Sequence, residues 1–447
     1  MVVAMDPRLL VHAERQAPRY TSYPSAPHFD ASVDGGLYAA WLGRLPVAAE
    51  LSLYLHVPYC KALCWYCGCN TYAARRDEPV VDYVANLLRE VDLVAGSTTA
   101  RRVVEIHWGG GTPNILSPDQ FTRIFRHLAF WFDIDATARH AIEIDPRYLS
   151  TDQTRAYAAA GVTRASLGVQ DLNAHVQRAI GRIQPLATVK GAVEGLRDAG
   201  ISDISIDLMY GLPAQSSADL LESVRGAAGL QPQRIALFGY AHVPWFKKRQ
   251  RLIDEERLPG AAERFDQAEA ARAELASLGY IAIGLDHFAL PEDDLAIAMR
   301  RRDLHRSFQG YVAGAQTALI GLGPSAISTL PQGYAQNFSE PGTWAHSIGL
   351  DKLPCARGHA LHDDDRRRRA LIEQIMCAFR VDLRPLGGAK ACRREIELLA
   401  PLIADGLVSI TGDIVTMAED ARPFCRLAAQ AFDAYATAAP ARHSRAG

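Results

Sequence analysis

Lysine is scarce in this chain. It stands only at positions 61, 190, 247, 248, 352 and 390, so arginine supplies 42 of the 48 basic residues. Arginine suits bidentate capture of carboxylates, but a bias spread over the whole chain is first a habit of composition. Against 50 acidic residues the net charge is only -2, without the basic excess or stripe of a nucleic-acid protein. No apolar run approaches the ~18 residues of a membrane span, and residues 1–19 carry charges throughout, without the apolar core of a signal peptide. Internal repeats, low-complexity linkers and exposed heptads are also missing. What remains is an ordinary globular chain of 447 residues, 49% hydrophobic, long enough for two or three domains. The expectations are a cytoplasmic monomer with neither nucleic acid nor membrane as partner.

Four of the eight cysteines crowd into His56-Val-Pro-Tyr-Cys60-Lys-Ala-Leu-Cys64-Trp-Tyr-Cys67-Gly-Cys69-Asn70. Such crowding fits a reducing compartment and a metal site better than a disulfide framework. Zinc sites normally bring their ligands in two separated pairs, and Cys355, Cys377, Cys392 and Cys425 stand singly. Cys60, Cys64 and Cys67 instead have the number needed to hold three irons of a [4Fe-4S] cube, whose sites usually take four cysteines. The fourth iron is then open to the amino and carboxylate groups of S-adenosylmethionine, a cofactor that a reduced cluster splits to start radical chemistry.

Six stretches read as short strands, each followed by a helical segment: 51–57, 103–108, 141–145, 165–170, 204–209 and 235–240. Alternation of this kind implies a parallel sheet. In five of them one face is apolar and the other polar. Leu51, Leu53, Leu55 and Val57 alternate with Ser52, Tyr54 and His56, Val104, Ile106 and Trp108 with Glu105 and His107, and Ile204, Ile206 and Leu208 with Ser205 and Asp207. A doubly wound sheet buries both faces and reads as continuous apolar strands. The remaining solution is a barrel with helices outside and a polar, ligand-holding lumen, its chemistry at the C-terminal strand ends. Those ends carry the cysteine loop, Gly109 to Gly111, Glu143, Gln170, Asp207 and Tyr240-Ala241-His242. The glycines are read as letting backbone approach a ligand closely. Beyond residue 363 the pattern turns to helices with a hairpin around Thr411-Gly-Asp413. The run Asp363 to Arg369 reads as the capped, solvated start of a helix.

His107-Trp-Gly-Gly-Gly-Thr-Pro113, Glu143-Ile-Asp-Pro-Arg147, Ser166-Leu-Gly-Val-Gln-Asp171, Asp207-Leu-Met-Tyr-Gly-Leu-Pro213 and Gly284-Leu-Asp-His-Phe288 join the cysteine run. Together they resemble the oxygen-independent coproporphyrinogen III oxidases of the radical S-adenosylmethionine superfamily, from Pro18 to about Tyr435. Pro18-Arg-Tyr-Thr-Ser-Tyr-Pro24 resembles a segment that in that family folds over the active site, and Cys69 is a cysteine that haem-chaperone-like relatives replace. A haem-binding chaperone and a radical porphyrin methyltransferase on the same scaffold are the alternatives. The resemblance implies an α/β fold: a partial (β/α)6 barrel over 46–340, an N-terminal segment 1–45 covering the site and a small, mostly helical, winged-helix-like domain over 341–447.

The resemblance also implies roles. Cys60, Cys64 and Cys67 ligate the cluster, with Cys69 nearby but not a ligand. Two molecules of S-adenosylmethionine lie side by side, the first against Tyr54, Tyr66, Gly110, Glu143, Ala241 and Ile327. The second lies against Gly111, Thr112, Gln170, Arg182 and Asp207. Arg19 is a candidate grip for the propionates of coproporphyrinogen III, and Arg182 a further one. A carrier such as flavodoxin or ferredoxin supplies the electron. The alternating strands select Tyr54, Glu143, Gln170 and Asp207 independently of the resemblance.

Overall fold

The polar-apolar alternation builds six parallel strands in sequence order: β1 (Leu51–Val57), β2 (Arg102–Gly110), β3 (Asp133–Ile144), β4 (Arg164–Gln170), β5 (Asp203–Tyr210) and β6 (Arg234–Gly239). The computed structural model describes residues 7–436. Helices return the chain between strands, and three of them start where the sequence writes a capping box. Ser117, Ser150 and Ser216 each accept the N–H of the residue three on, and Gln120, Gln153 and Asp219 reach back. The apolar strand faces, including Leu53, Leu55, Trp108, Ile142 and Ile206, are fully buried against those helices. Register sets the polar residues side by side on the other face: Tyr54 opposite His107, and Glu143 opposite Ser166.

Two departures from the sequence reading have local causes. A bulge in β2 ejects Val104 from the alternation, so Val103 rather than Val104 enters the core. β3 starts at Asp133, well before the expected residue 141: its first half sets only Ile134 and the small Ala136 and Ala138 on one face and stays largely unburied.

The barrel stays open. A seventh parallel strand, Ala318–Leu322, pairs with β1 on the side away from β2, and Ile327–Leu330, Gly333–Asn337 and Cys355–Ala360 continue that edge antiparallel. At the other edge β6 pairs with the hairpin Ile281–Ile283/His287–Ala289, which completes a twelve-stranded sheet. A second hairpin, Leu304–Ser307/Gly310–Ala313, covers the lumen between the two edges. Glu90, buried on the helix Glu78–Ser97, ties that helix to the extended edge. Its carboxylate accepts from Gly323 N–H at 2.7 Å, Asn337 Nδ2 at 2.6 Å and Trp344 Nε1 at 3.2 Å. Residues 341–360, grouped from sequence with the C-terminal domain, are therefore part of the main sheet and its helical cover.

The second core begins at the helix Asp363–Ala378. With Arg393–Ala404, Cys425–Gln430 and the three-stranded sheet Arg380–Asp382, Val408–Thr411 and Ile414–Met417, it forms the helical unit with a wing expected from sequence. Asp365 is not solvated: it is buried, accepting from His362 N–H at 3.0 Å and Tyr435 Oη at 2.9 Å. Ala13, Ala17, Tyr20 and Tyr23 pack into this second core, and Tyr20 Oη donates to Asp433 at 3.0 Å. The N-terminal segment is thus anchored on the C-terminal unit.

Candidate active site

The loop after β1 is closed at its base by a short parallel pairing of Tyr59–Cys60 with Tyr72–Ala73. Its interior is held from outside. Trp65 N–H donates to Ile180 O at 3.0 Å, Gln250 Nε2 to Tyr66 O at 2.7 Å and Lys247 Nζ to Cys69 O at 3.2 Å. Gly181, at φ +65°, lies under the Trp65 ring, where an added Cβ would come within 2.8 Å of the indole. A side chain there would push the cysteine loop away.

Each of the three sulfurs receives a donor. Thr112 Oγ1 approaches Cys60 Sγ at 3.2 Å, Cys69 N–H donates to Cys67 Sγ at 3.4 Å, and Cys64 Sγ faces Arg182 Nη1 at 3.3 Å and Arg147 Nη2 at 3.7 Å. Hydrogen bonds to cluster sulfurs are one of the terms that set a cluster's potential. Hydrogen bonding from Cys69 holds the Cys67 thiol below its ordinary value against the effect of burial, whereas burial pushes Cys60 up to about 11. Among the described residues no three His, Cys, Asp or Glu side chains converge as one ion requires. Instead the cysteines line one cavity together, the arrangement suited to a cluster, in which each thiolate binds a different iron.

That cavity holds about 660 Å³, within the range of ligand pockets. It is lined by the three cysteines, Arg19, Tyr66, Gly110, Gly111, Thr112, Glu143, Gln170, Arg182, Asp207 and Ala241. Two expected residues are absent from its wall. Tyr54 stands one layer behind, stacked on His107 with centroids 5.8 Å apart and its hydroxyl 3.2 Å from His56 Nδ1. Ile327 packs with the cluster of Phe29, Tyr334 and Leu361.

The glycine triplet has a packing reason beside the ligand approach read in the sequence. A Cβ on Gly109 would meet Glu143 Oε1 at 2.7 Å, on Gly110 the His56 ring at 2.7 Å, and on Gly111 the Val57 and Tyr59 carbonyls within 2.8 Å. These glycines let strand ends and the cysteine loop pack together, while Gly110 N–H still reaches Glu143 Oε2 at 3.3 Å.

Charge is arranged across the cavity in layers. Glu143 Oε1 lies 3.1 Å from His107 Nε2, and Ser166 Oγ donates to Asp207 at 3.1 Å. Burial and the nearby Glu143 carboxylate push Asp207 up to about 7. Arg182 is committed to the protein: besides Cys64 it reaches Asp145 at 3.1 Å and Gly168 O at 2.5 Å. Burial acts to raise the Asp145 carboxyl, but hydrogen bonds from Arg147 and the Arg182 charge outweigh it and hold that carboxyl low. The guanidinium therefore organises the cysteine loop. Asp145 and Arg147 were not singled out from sequence, although Glu143-Ile-Asp-Pro-Arg147 contains them. Lys247 and Gln250 lie in an irregular segment with no periodicity to flag them.

Residues 54–226 match the model of the Radical SAM superfamily. The chain is similar to the oxygen-independent coproporphyrinogen III oxidase of Bradyrhizobium diazoefficiens, 47% identical over 97% of this chain and 98% of that one. It is also similar to the protein of that name from Synechocystis, 36% identical over 97% and 96%. The solved coproporphyrinogen III oxidase of Escherichia coli, described as a radical SAM enzyme, superposes with a TM-score of 0.89 at 35% identity, covering 94% of this chain and 100% of that one. Such similarity spans the barrel, the N-terminal segment and the second core alike, and the chain belongs to the oxygen-independent coproporphyrinogen III oxidase family.

Proposed function

We propose that this protein converts coproporphyrinogen III to protoporphyrinogen IX without oxygen, turning two propionates into vinyl groups. The observation that carries the reading is the trio Cys60, Cys64 and Cys67 on a braced loop lining a 660 Å³ cavity, in a chain related over nearly its full length to enzymes of that name. These thiolates would hold a [4Fe-4S] cluster that, with S-adenosylmethionine, would supply the radical chemistry needed to take one hydrogen atom from the β-carbon of a propionate. The substrate then loses CO2 and one electron to an external acceptor, leaving the vinyl group.

The chain's own residues hold and shield. Arg182 and Arg147 fix Cys64, and Thr112 and the Cys69 N–H fix the other two sulfurs. Glu143, Gln170 and Asp207 offer acceptors to the hydroxyl and amino groups of the cofactor, of which the family resemblance implies two molecules. Tyr66 and Phe238 line the wall and keep water from the reacting carbon. Arg19, on the N-terminal cover, faces the same space and grips a propionate. Three of the six lysines, Lys61, Lys247 and Lys248, stand in or beside the cysteine loop, which favours an acidic electron carrier of the flavodoxin or ferredoxin kind. Among the described residues no helix is long and apolar enough to cross a membrane. We place the protein in the cytoplasm as a monomer of three parts: cover, barrel and C-terminal domain.

The test is an anaerobic assay of the reconstituted protein with S-adenosylmethionine and coproporphyrinogen III. Vinyl products and 5'-deoxyadenosine are expected together, and neither from Cys60→Ala. Haem consumption with methyl transfer, or cofactor cleavage without vinyl products, would overturn the reading.

A further inference from the structure

A second cavity, of about 500 Å³, adjoins the first and shares Arg19, Phe238, Gly239, Tyr240 and Ala241 with it. Its wall gathers arginines from distant parts of the chain. Arg264 and Arg272 come from the helix Ala261–Ser277, Arg306 from the hairpin strand Leu304–Ser307 and Arg426 from the C-terminal helix Cys425–Gln430. Three carboxylates line it too, and each already faces a cation or a histidine. Glu255 lies 2.9 Å from His242, Glu269 3.3 Å from Arg272 and Asp286 2.7 Å from His287. Arg306 is matched less closely. The Arg306 side chain is only 5% exposed, with Asp286 no nearer than 3.9 Å, and its Nη1 is buried without a hydrogen-bond partner. Burial and the neighbouring Arg19 charge push Arg426 down to about 10. Between the arginines the wall is apolar, formed by Leu258, Phe265, Leu285 and Phe288.

We propose that this second cavity is a carboxylate subsite, in which Arg272 and Arg306 grip the propionates that are not reacting while the reacting one enters the cysteine-lined cavity. The inference rests on the decarboxylation reading and adds to it the place where most of the substrate sits. A tetrapyrrole with four propionates has an apolar ring and an anionic rim; the cavity has apolar walls and cationic corners. A buried guanidinium with an unmatched donor, as at Arg306 Nη1, gains from a bidentate carboxylate. S-adenosylmethionine, whose sulfonium and ammonium outweigh its one carboxylate, is disfavoured by the same charge, so the two ligands do not compete for the space. Phe238 to Ala241 form the shared wall across which a substrate clamped by arginine presents one side chain to the radical source.

The experiment titrates the anaerobic holoenzyme with coproporphyrin III, a stable tetra-acid, and with its tetra-amide, following fluorescence. Arg272→Gln and Arg306→Lys are compared with the unaltered protein. The expected result is preference for the tetra-acid, cut roughly tenfold by Arg272→Gln and less by Arg306→Lys, which keeps charge but loses the fork, with tetra-amide binding within about twofold. A merely structural role would weaken both ligands alike. Equal losses for both, or an unchanged preference for the tetra-acid in Arg272→Gln, overturn the subsite. Turnover of coproporphyrinogen III by the unaltered protein separates the two readings. Vinyl formation alongside an unchanged preference sinks the subsite alone, and absence of vinyl formation from the unaltered protein sinks the decarboxylation reading.

Discussion

The two adjoining cavities carry opposite charge problems. In the cysteine-lined one, burial and Glu143 push the Asp207 carboxyl up to about 7; in the arginine-lined one, burial and Arg19 push Arg426 down to about 10. A buried group whose charged form is disfavoured gains from a ligand of the opposite sign. Asp207 therefore favours a cationic group beside it, as S-adenosylmethionine carries, and the arginine-lined wall an anionic one, as a tetrapropionate carries. Their arginines also differ in kind. Arg182 holds Cys64, Asp145 and Gly168 with its two terminal nitrogens, so it is part of the architecture. Arg272 and Arg306 lie over a space of about 500 Å³.

The largest expected effect breaks this contrast if it fails. Arg182→Met removes the partner that Asp145 and Cys64 share in the buried interior, leaving Asp145 to Arg147 alone. Breaking a buried ion pair from one side costs ~3–5 kcal/mol. Arg272, with a side chain 28% exposed, is expected to cost under ~1 kcal/mol as Arg272→Gln. Anaerobic urea unfolding of the two variants measures both values, and iron content after reconstitution reports the cysteine loop. Arg182→Met should lose iron and Arg272→Gln should retain it. Equal destabilisation would mean that both arginines are architectural.

The same contrast explains what the sequence made legible. Glu143, Gln170 and Asp207 project from parallel strands, where a period of two separates lumen from core, so the cysteine-lined cavity could be drawn from the chain alone. Tyr54 obeys that period yet stands behind His107, because strand alternation gives the face of a side chain and not its depth along the barrel. For Gly109 to Gly111 the packing reason was hidden: sequence shows that a side chain is missing, not which atom would have met it. The arginine-lined cavity had no such code. Residues 264, 272, 306 and 426 come from two helices and a hairpin strand, which only tertiary packing brings together, and 42 arginines in the chain conceal four that matter. The anchoring of Ala13, Ala17 and Tyr20 in the second core was equally invisible. It also changes what truncation would test: removing the N-terminal segment strips that core as well as Arg19.

The smaller effect sharpens the charge argument through pH. Asp207 has Glu143, His107 and Arg182 as its charged or titratable neighbours, and Ser166 donates to it. Its folded value, raised to about 7 from an ordinary 3.8, fixes the sign. Below the unfolded value both states hold the proton and Asp207 costs nothing. As pH rises past about 4 the unfolded chain ionises while the buried carboxyl keeps its proton, so stability is lost until pH passes about 7, where the loss levels off. The loss is on the order of 2–4 kcal/mol. An amide cannot ionise, so Asp207→Asn removes this slope, and other titrations cancel in the difference between the two proteins. Unfolding free energies at pH 5 and pH 8, without S-adenosylmethionine, should show the unaltered protein falling relative to Asp207→Asn. Saturating S-adenosylmethionine should then shrink the gap, because a cation beside Asp207 lowers its folded value. If the gap stays unchanged on adding the cofactor, the cationic ligand does not occupy the cavity that Asp207 faces, and the division of the two cavities by charge fails at its first member.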